Sequence, residues 1–137
     1  MIAISSLESV NILLKKSKMF MRSAEGNIER RLYDVTCFDA EQATQLFLKA
    51  HILKHLGYVP RTHSIRTLFS HLASVPKIDR KTLNKFGSEH RSDLVMLEVA
   101  YLKSRYSGEE YNRQDAHECV EIAKKVIQLV KRVAVHL

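Results

Sequence analysis

Apolar residues recur at alternating steps of three and four along most of this chain, which is the spacing of helices that bury one face. The most regular stripe lies near the end of the sequence, at Ala116, Cys119, Ala123, Val126, Val130, Val133 and Leu137. A second stripe near the start contains Leu7, Val10, Leu14, Ser17, Met21, Ala24 and Ile28. No stretch of useful length alternates apolar and polar residues as a strand does. The pattern therefore predicts an all-α protein.

Capping signals locate the first two helices. Ser5 and Glu8 have the spacing of a capping box, in which each side chain bonds a free backbone N–H, so we expect the first helix to begin at Ser5. The second helix is predicted over Asp39–Leu56 and ends at Gly57, because glycine accepts the left-handed conformation that closes a helix. Residues Arg30–Thr36 fit either a loop or the first turns of this helix.

The remaining signals predict three more helices. Thr62 or Ser64 caps a short third helix, and Asp79 is placed to cap a long fourth helix. The segment Arg105–Gly108 interrupts the apolar pattern and is expected to form a loop, after which Asn112 can cap the fifth helix. We therefore expect a single domain over residues 1–137, folded as an up-and-down helical bundle of four long helices plus a short fifth that crosses one end.

The second predicted helix is apolar on more than one side. Leu48 and Ile52, one turn apart, lie outside its main apolar face. Gln42, Gln45 and Lys49 form a polar strip between the two apolar faces. A helix of this kind touches two layers, so either it is central in the domain or its second side meets another subunit.

The charge balance is basic. The formal net charge is +7, with 22 lysines and arginines against 15 aspartates and glutamates. This excess favours an anionic partner such as a nucleotide, RNA or an acidic protein surface. The charges are spread along the chain, so simple solvation of the outer helix faces explains them equally well.

Cysteine usage and hydropathy indicate in which cellular compartment the protein is expected. Cys37 and Cys119 lie among apolar neighbours and are expected to be buried thiols, since two cysteines do not make a disulfide framework. The first residues lack a charged region followed by a long apolar run, and no apolar run approaches the ~20 residues of a membrane span. We expect a cytoplasmic protein with no membrane association.

Several short motifs occur in a fixed order on the predicted helices. They are Glu41-Gln42-Ala43, Leu46, Leu48-Lys49-Ala50, Gly57, Pro60, Thr62-His63-Ser64-Ile65, Leu68, Arg105-Tyr106 and Ala123. This combination resembles the HEPN domain family, which occurs in prokaryotes and some eukaryotes, over nearly the whole chain. The resemblance implies a helical bundle that forms a homodimer and is encoded beside a minimal nucleotidyltransferase, as its partner or substrate-binding subunit. Other members are ribonuclease toxins with an Arg-x4–6-His motif shared across the dimer, and some bind nucleotides.

The ribonuclease motif is missing from its expected position. No histidine follows Arg105 at the required spacing. The literal match Arg66…His71 lies on the predicted third helix, where a separation of five residues turns two side chains roughly 140° apart. We therefore expect no catalytic residues, and a non-catalytic domain that pairs with a nucleotidyltransferase in a toxin–antitoxin-like context. The alternatives are a ribonuclease toxin with an atypical site and a ligand-free helical interaction module.

Five residues are candidates for binding a nucleotide, RNA or the protein partner: Gln42, Lys49, His63, Arg105 and Tyr106. His63, at a helix start, could hold a phosphate together with Lys49 and Arg105, or it could bond a neighbouring helix and fix the turn. Arg105 could bind a phosphate while Tyr106 stacks on a base. Equally, the arginine could satisfy helix carbonyls while the tyrosine packs.

His51 and His55 lie one helical turn apart, a spacing that two zinc ligands can use. No third ligand is indicated by the sequence. We therefore expect two solvated helix histidines, with no metal site and no cofactor.

Overall fold

The computed structural model describes residues 6–106, 110–135 and 137, with side chains for all of these except residues 104–106. Within these ranges the chain is helical and contains no strand, which confirms the predicted all-α class. The helices are α1 (Ser6–Glu29), α2 (Tyr33–Leu56), α3 (Ile65–Ala73), α4 (Arg80–Glu89), α5 (Arg91–Tyr106) and α6 (Arg113–Val133).

The described helices differ in number from the predicted four long and one short. The expected fourth helix is two helices, because the chain bends at His90, whose φ of −111° and ψ of 21° are not helical. Nearby Gly87 weakens the helical preference of this segment. The bend lets α4 pack on α3 and α6 while α5 packs along α2, which one straight helix would not reach. Arg105 and Tyr106 also belong to α5 by their backbone, so these two residues of the predicted loop are helical.

The connection between α1 and α2 is a tight turn. Arg31 has a φ of 60°, and the backbone N–H of Leu32 donates to the carbonyl of Asn27. Helix α2 therefore begins at Tyr33, so most of the ambiguous segment is helical. Asp39 ties the two helices together by accepting hydrogen bonds from Ser23 at 2.6 Å and from Asn27 at 3.1 Å. The predicted start at Ser5 lies outside the described residues.

Helix α2 is the centre of the domain. It packs against α1, α3, α5 and α6. Leu48 and Ile52, which form its second apolar side, are both fully buried within this one chain. Of the two explanations for its two-sided pattern, the central position is therefore the correct one, and no second subunit is needed to cover Leu48 or Ile52.

The predicted caps are present. Ser64 accepts a hydrogen bond from the backbone of Thr67 at the start of α3, and Asp79 caps α4. Asn112 forms a reciprocal capping box at the start of α6. Gly57 ends α2 with a φ of 81°, in the left-handed region. These local signals set four of the helix boundaries, as the sequence indicated.

The core lies between α2 and the helices around it. Cys37 and Cys119 are both free thiols and fully buried, as predicted. The Cys37 thiol donates to the backbone carbonyl of Asp115 at 3.6 Å, and its contact with Cys119, together with burial, raises the pKa of Cys37 strongly. Over the described ranges, no helix combines the length and the apolar composition that a bilayer span requires.

Candidate functional site

Helix α2 carries a row of polar side chains on one of its buried sides. Glu41, Gln45 and Lys49 follow at steps of four, so they lie above one another on the same face. Glu41 has no solvent-exposed surface and Gln45 is 3% exposed, while Lys49 and neighbouring Gln42 are half-buried. Polar groups buried at this depth cost free energy unless they are paired, so their partners define the site.

The side chains in this row bond one another. The Gln42 Nε2 donates to Glu41 Oε2 at 2.8 Å, and the Gln45 Nε2 donates to Glu41 Oε1 at 2.5 Å. The Lys49 ammonium donates to Gln45 Oε1 at 2.7 Å. We call these four residues the Glu41 network. Through Gln45, it connects a buried carboxyl to a cation at the edge of the helix.

His63 extends the network to the segment before α3. Its Nδ1 lies 3.3 Å from Gln45 Oε1, the oxygen that also accepts from Lys49. Since that amide oxygen only accepts, Nδ1 must carry the hydrogen in this contact. The His63 ring stacks on the ring of Tyr101 from α5, with centroids 4.1 Å apart and planes 16° from parallel. Lys49 and His63 thus converge on one atom, beside an aromatic stack.

A second carboxylate, Glu98 of α5, lies over the start of α3. It accepts from the Ser64 hydroxyl at 2.9 Å and from the Arg66 backbone N–H at 2.7 Å. The Arg66 guanidinium also pairs with it at 3.2 Å. Burial raises the pKa of Glu98, but the bonds from Arg66 and Ser64 outweigh burial and leave that pKa lowered. Glu98 therefore remains ionised at the positive end of α3.

Glu41 differs from Glu98 because no cation bonds it directly. Burial raises the pKa of Glu41 to about 7, and the charge of Glu98 acts in the same direction. The amides of Gln42 and Gln45 and the charge of Lys49 oppose this rise without cancelling it. Burial lowers the pKa of Lys49, while Glu41 partly restores it. The site therefore holds a carboxyl that exchanges its proton near neutral pH, together with a partly desolvated lysine.

Three of the five predicted site residues come together. Gln42 and Lys49 belong to the Glu41 network, and His63 contacts it through Gln45. Arg105 and Tyr106 form the end of α5, the helix that supplies Glu98 and Tyr101, but their side chains lie outside the described residues.

Sequence reasoning missed part of the site. Glu41 and Gln45 could have been found, because polar residues four apart on a helix apolar to both sides indicate a buried polar row. Glu98 and Tyr101 carried no such signal. Their roles depend on how α5 packs across the start of α3, which only the tertiary structure shows.

The literal Arg-x4-His match on α3 does not form a pair. Arg66 is engaged by Glu98, while the His71 Nδ1 lies 2.8 Å from the Tyr58 hydroxyl. These different partners agree with the divergence expected from helix geometry.

The expectation that both histidines of α2 are solvated is wrong for one of them. His51 was predicted to be solvated, but its Nδ1 is buried and its ring lies between Phe47 and His55. Among the described residues, no three histidine, cysteine, aspartate or glutamate side chains are grouped as metal ligands.

Comparison with known proteins identifies the family. The HEPN domain model matches residues 10–133. Among solved structures, TT1696 from Thermus thermophilus is 24% identical, with a TM-score of 0.69 over 90% of this chain and 96% of that chain. ST0689, described as an archaeal HEPN homologue, is 22% identical, with a TM-score of 0.62 over 89% of this chain and 94% of that chain. No curated protein matches. Since the model match spans most of the sequence, the chain belongs to the HEPN domain family.

Proposed function

We propose that this HEPN domain is a non-catalytic binding subunit that holds a nucleotide, or the end of an RNA, at the edge of the Glu41 network. The observation that carries the proposal is the convergence of Lys49 and His63 on Gln45 Oε1. A phosphate oxygen that replaced Gln45 Oε1 as the acceptor would gain the lysine charge and the hydrogen bond from His63 Nδ1. The adjoining stack of His63 on Tyr101 offers an aromatic surface for a base.

We also assign Arg105 and Tyr106, at the end of α5, to this proposed site. Arg105 follows Tyr101 by four residues, about one helical turn. In the proposal, Arg105 supplies a second cation for a phosphate and Tyr106 stacks on a base. Gln42, a half-buried member of the Glu41 network, is the remaining candidate for contact with the ligand.

A melting-temperature screen tests whether a ligand binds. ATP, GTP and short RNAs are added at saturating concentrations, and any ligand that prefers the folded state raises the melting temperature. We expect a rise with at least one of the three, smaller in the Lys49→Gln variant. If the melting temperature is unchanged with all three, the ligand proposal fails.

The protein partner in this proposal is a minimal nucleotidyltransferase, in a toxin–antitoxin-like arrangement in a prokaryotic cytoplasm. The family membership and the net charge of +7 support it, because a basic domain favours an acidic surface or a nucleotide carried by the partner. The test is co-purification with the product of an adjacent nucleotidyltransferase reading frame. A neighbouring frame of this class whose product does not bind would remove this part of the proposal.

The proposal also includes a homodimer, since HEPN domains commonly dimerise. Because Leu48 and Ile52 are fully buried within the chain, the second apolar side of α2 is not the dimer surface. The outer side of α1 supports this role, with Ile12 41% exposed and Met19 58% exposed. Sedimentation at high micromolar concentration should show a dimer that Met19→Lys weakens, whereas Leu102→Lys on α5 should not. A wild-type monomer under these conditions would remove the dimer proposal.

One observation favours the ribonuclease alternative. A carboxyl with a pKa of about 7, linked through Gln45 to a lysine and a histidine, is an arrangement that can transfer protons. Incubation of the pure protein with total RNA discriminates between the two functions. The non-catalytic proposal predicts no cleavage, whereas cleavage that is lost in both Arg105→Ala and Glu41→Gln would establish the alternative.

A further inference from the structure

A concave surface lies across α2 from Gln45 and Lys49 of the Glu41 network. Phe47 and His51 follow Gln45 and Lys49 by two positions each, a rotation of roughly 200° around the helix. There, α1, α2 and α6 enclose a groove of about 440 Å³, which we call the α1–α6 groove. This volume lies within the usual range for small-molecule sites.

The floor of the groove is apolar. It is formed by Leu14 and Met21 from α1, Phe47 from α2 and Ile127 from α6. The Phe47 ring meets the His51 ring with centroids 4.8 Å apart, so one wall is aromatic. A ligand that covers this floor must itself carry apolar surface, because a fully polar molecule would gain nothing from displacing its water.

The rim of the groove is positively charged. Lys18 of α1 and Lys124 and Lys131 of α6 line it, and no carboxylate does among the described residues. The nearest paired acid is Glu25, outside the groove, which lies 3.6 Å from Lys124. Lys18 and Lys131 therefore dominate the electrostatic potential of the rim. An anionic group is favoured at the part of the groove where these two lysines lie.

His51 adds a polar group that the fold does not satisfy. Its Nδ1 is buried and has no hydrogen-bond partner within the described part of the chain. Burial, together with the charges of His55, Lys54 and Lys131, lowers the pKa of His51 to about 4, so the ring is neutral at pH 7. A buried polar atom without a partner is costly, and rotation of the ring about its Cβ–Cγ bond would offer it to a ligand in the groove.

We propose that the α1–α6 groove binds a small amphipathic carboxylate, with its apolar chain or ring on the Leu14–Phe47–Ile127 floor and its carboxylate between Lys18 and Lys131. This site is separate from the proposed nucleotide site and does not depend on it.

Calorimetric titration with octanoate tests the proposal, and 1-octanol serves as the neutral analogue of the same chain length. Octanoate should bind at least about tenfold more tightly than octanol, because only octanoate uses the lysine charges. The double variant Lys18→Glu/Lys131→Glu should weaken octanoate binding by at least about tenfold. The matched double variant Lys15→Glu/Lys125→Glu changes the net charge equally on the same two helices but lies outside the groove, and should bind like wild type.

A third variant tests the groove without disturbing the fold. Gln128 is exposed at the rim, so Gln128→Trp should preserve the fold and obstruct the groove, abolishing octanoate binding. Equal binding of octanol and octanoate, or equal effects of the two lysine pairs, would overturn the proposal. Failure of octanoate to bind the wild-type protein would also overturn it, and if Lys18→Glu/Lys131→Glu then dissociates a dimer, the groove is a surface between two copies of the chain.

Discussion

Glu41 shows how a single residue sets the chemistry of the α2 site. It is a fully buried acid held by two amides, and its nearest cation, Lys49, reaches it only through Gln45. Amides stabilise a carboxylate less than a direct ion pair does, so burial dominates and the pKa rises to about 7. Glu98, bonded directly by Arg66, shifts in the opposite direction.

We predict that Glu41→Gln changes how stability depends on pH. An acid with a raised folded-state pKa contributes stability that is fully present below its usual value of 4.5 and is lost as pH rises to about 7. The glutamine variant lacks this loss. Relative to wild type, it should therefore gain on the order of 3 kcal/mol in free energy of unfolding between pH 4 and pH 8.

Urea unfolding at the two pH values measures this difference. Glu121→Gln, at an exposed position on α6, serves as the control and should follow wild type at both. A constant difference between Glu41→Gln and wild type across the range would contradict the assignment of Glu41 as the group that titrates in the fold.

At the scale of elements, the start of α3 joins a cap to the candidate site. The Ser64 hydroxyl accepts from the backbone of Thr67 and donates to Glu98, whereas the exposed Asp79 carboxylate accepts from the backbone N–H and the hydroxyl of Thr82. Ser64→Ala should cost about 1–2 kcal/mol of stability and Asp79→Ala about 1 kcal/mol, since the first also removes a partner of the partly buried carboxylate of Glu98. Chemical denaturation of both variants shows which of them loses more stability. A larger loss for Asp79→Ala would show that Ser64 does not support Glu98.

Replacement of two glycines by alanine is predicted to change stability in opposite directions. Gly57 has a φ of 81° with open space around it, so Gly57→Ala should destabilise by about 1 kcal/mol through backbone strain alone. Gly87 lies within α4, where an added methyl group would meet only Phe69 at 3.7 Å, so Gly87→Ala should stabilise by up to about 1 kcal/mol. Thermal unfolding of the two variants measures the direction of both stability changes. Destabilisation by Gly87→Ala would indicate that the bend at His90 requires the glycine.

Local signals explain which elements the sequence could predict. The boundaries at Gly57, Ser64 and Asn112 follow from residues within one turn of the boundary, so they could be predicted. The bend at His90 has no proline and depends on α4 and α5 packing against different helices. Likewise, Lys49 and His63 were recognisable candidates, whereas the part played by Tyr101 requires the packing of α5 on the start of α3.

At the scale of the whole molecule, α2 carries two titrating groups with opposite effects. Glu41 lies in the first half of α2 and His51 in its second half, and the pKa of His51 is lowered to about 4. A histidine with a lowered folded-state pKa contributes stability that is fully present above its usual value of 6.5 and is lost as pH falls to about 4. Between pH 4.5 and 6.5 the two slopes partly cancel in the wild-type protein.

We predict that His51→Phe removes the loss of stability that wild type suffers as pH falls. Its free energy of unfolding relative to wild type should rise by on the order of 3 kcal/mol as pH falls from 7 to 4. Denaturant unfolding across this range measures the effect, and His117→Phe, exposed on α6, is the control. The same pH slope in His51→Phe and wild type would refute the burial of a neutral His51.

The central claim is that Lys49 and His63 form a phosphate-binding edge, and a calorimetric titration with ATP tests it most directly. Lys54 is exposed on the same helix, so Lys54→Gln removes an equal charge outside the site. Wild type and Lys54→Gln should bind ATP with similar affinity, while Lys49→Gln should bind at least about tenfold more weakly, a loss of ~1.4 kcal/mol or more. Equal affinities of Lys49→Gln and Lys54→Gln, or no binding to the wild-type protein at millimolar ATP, would contradict the account.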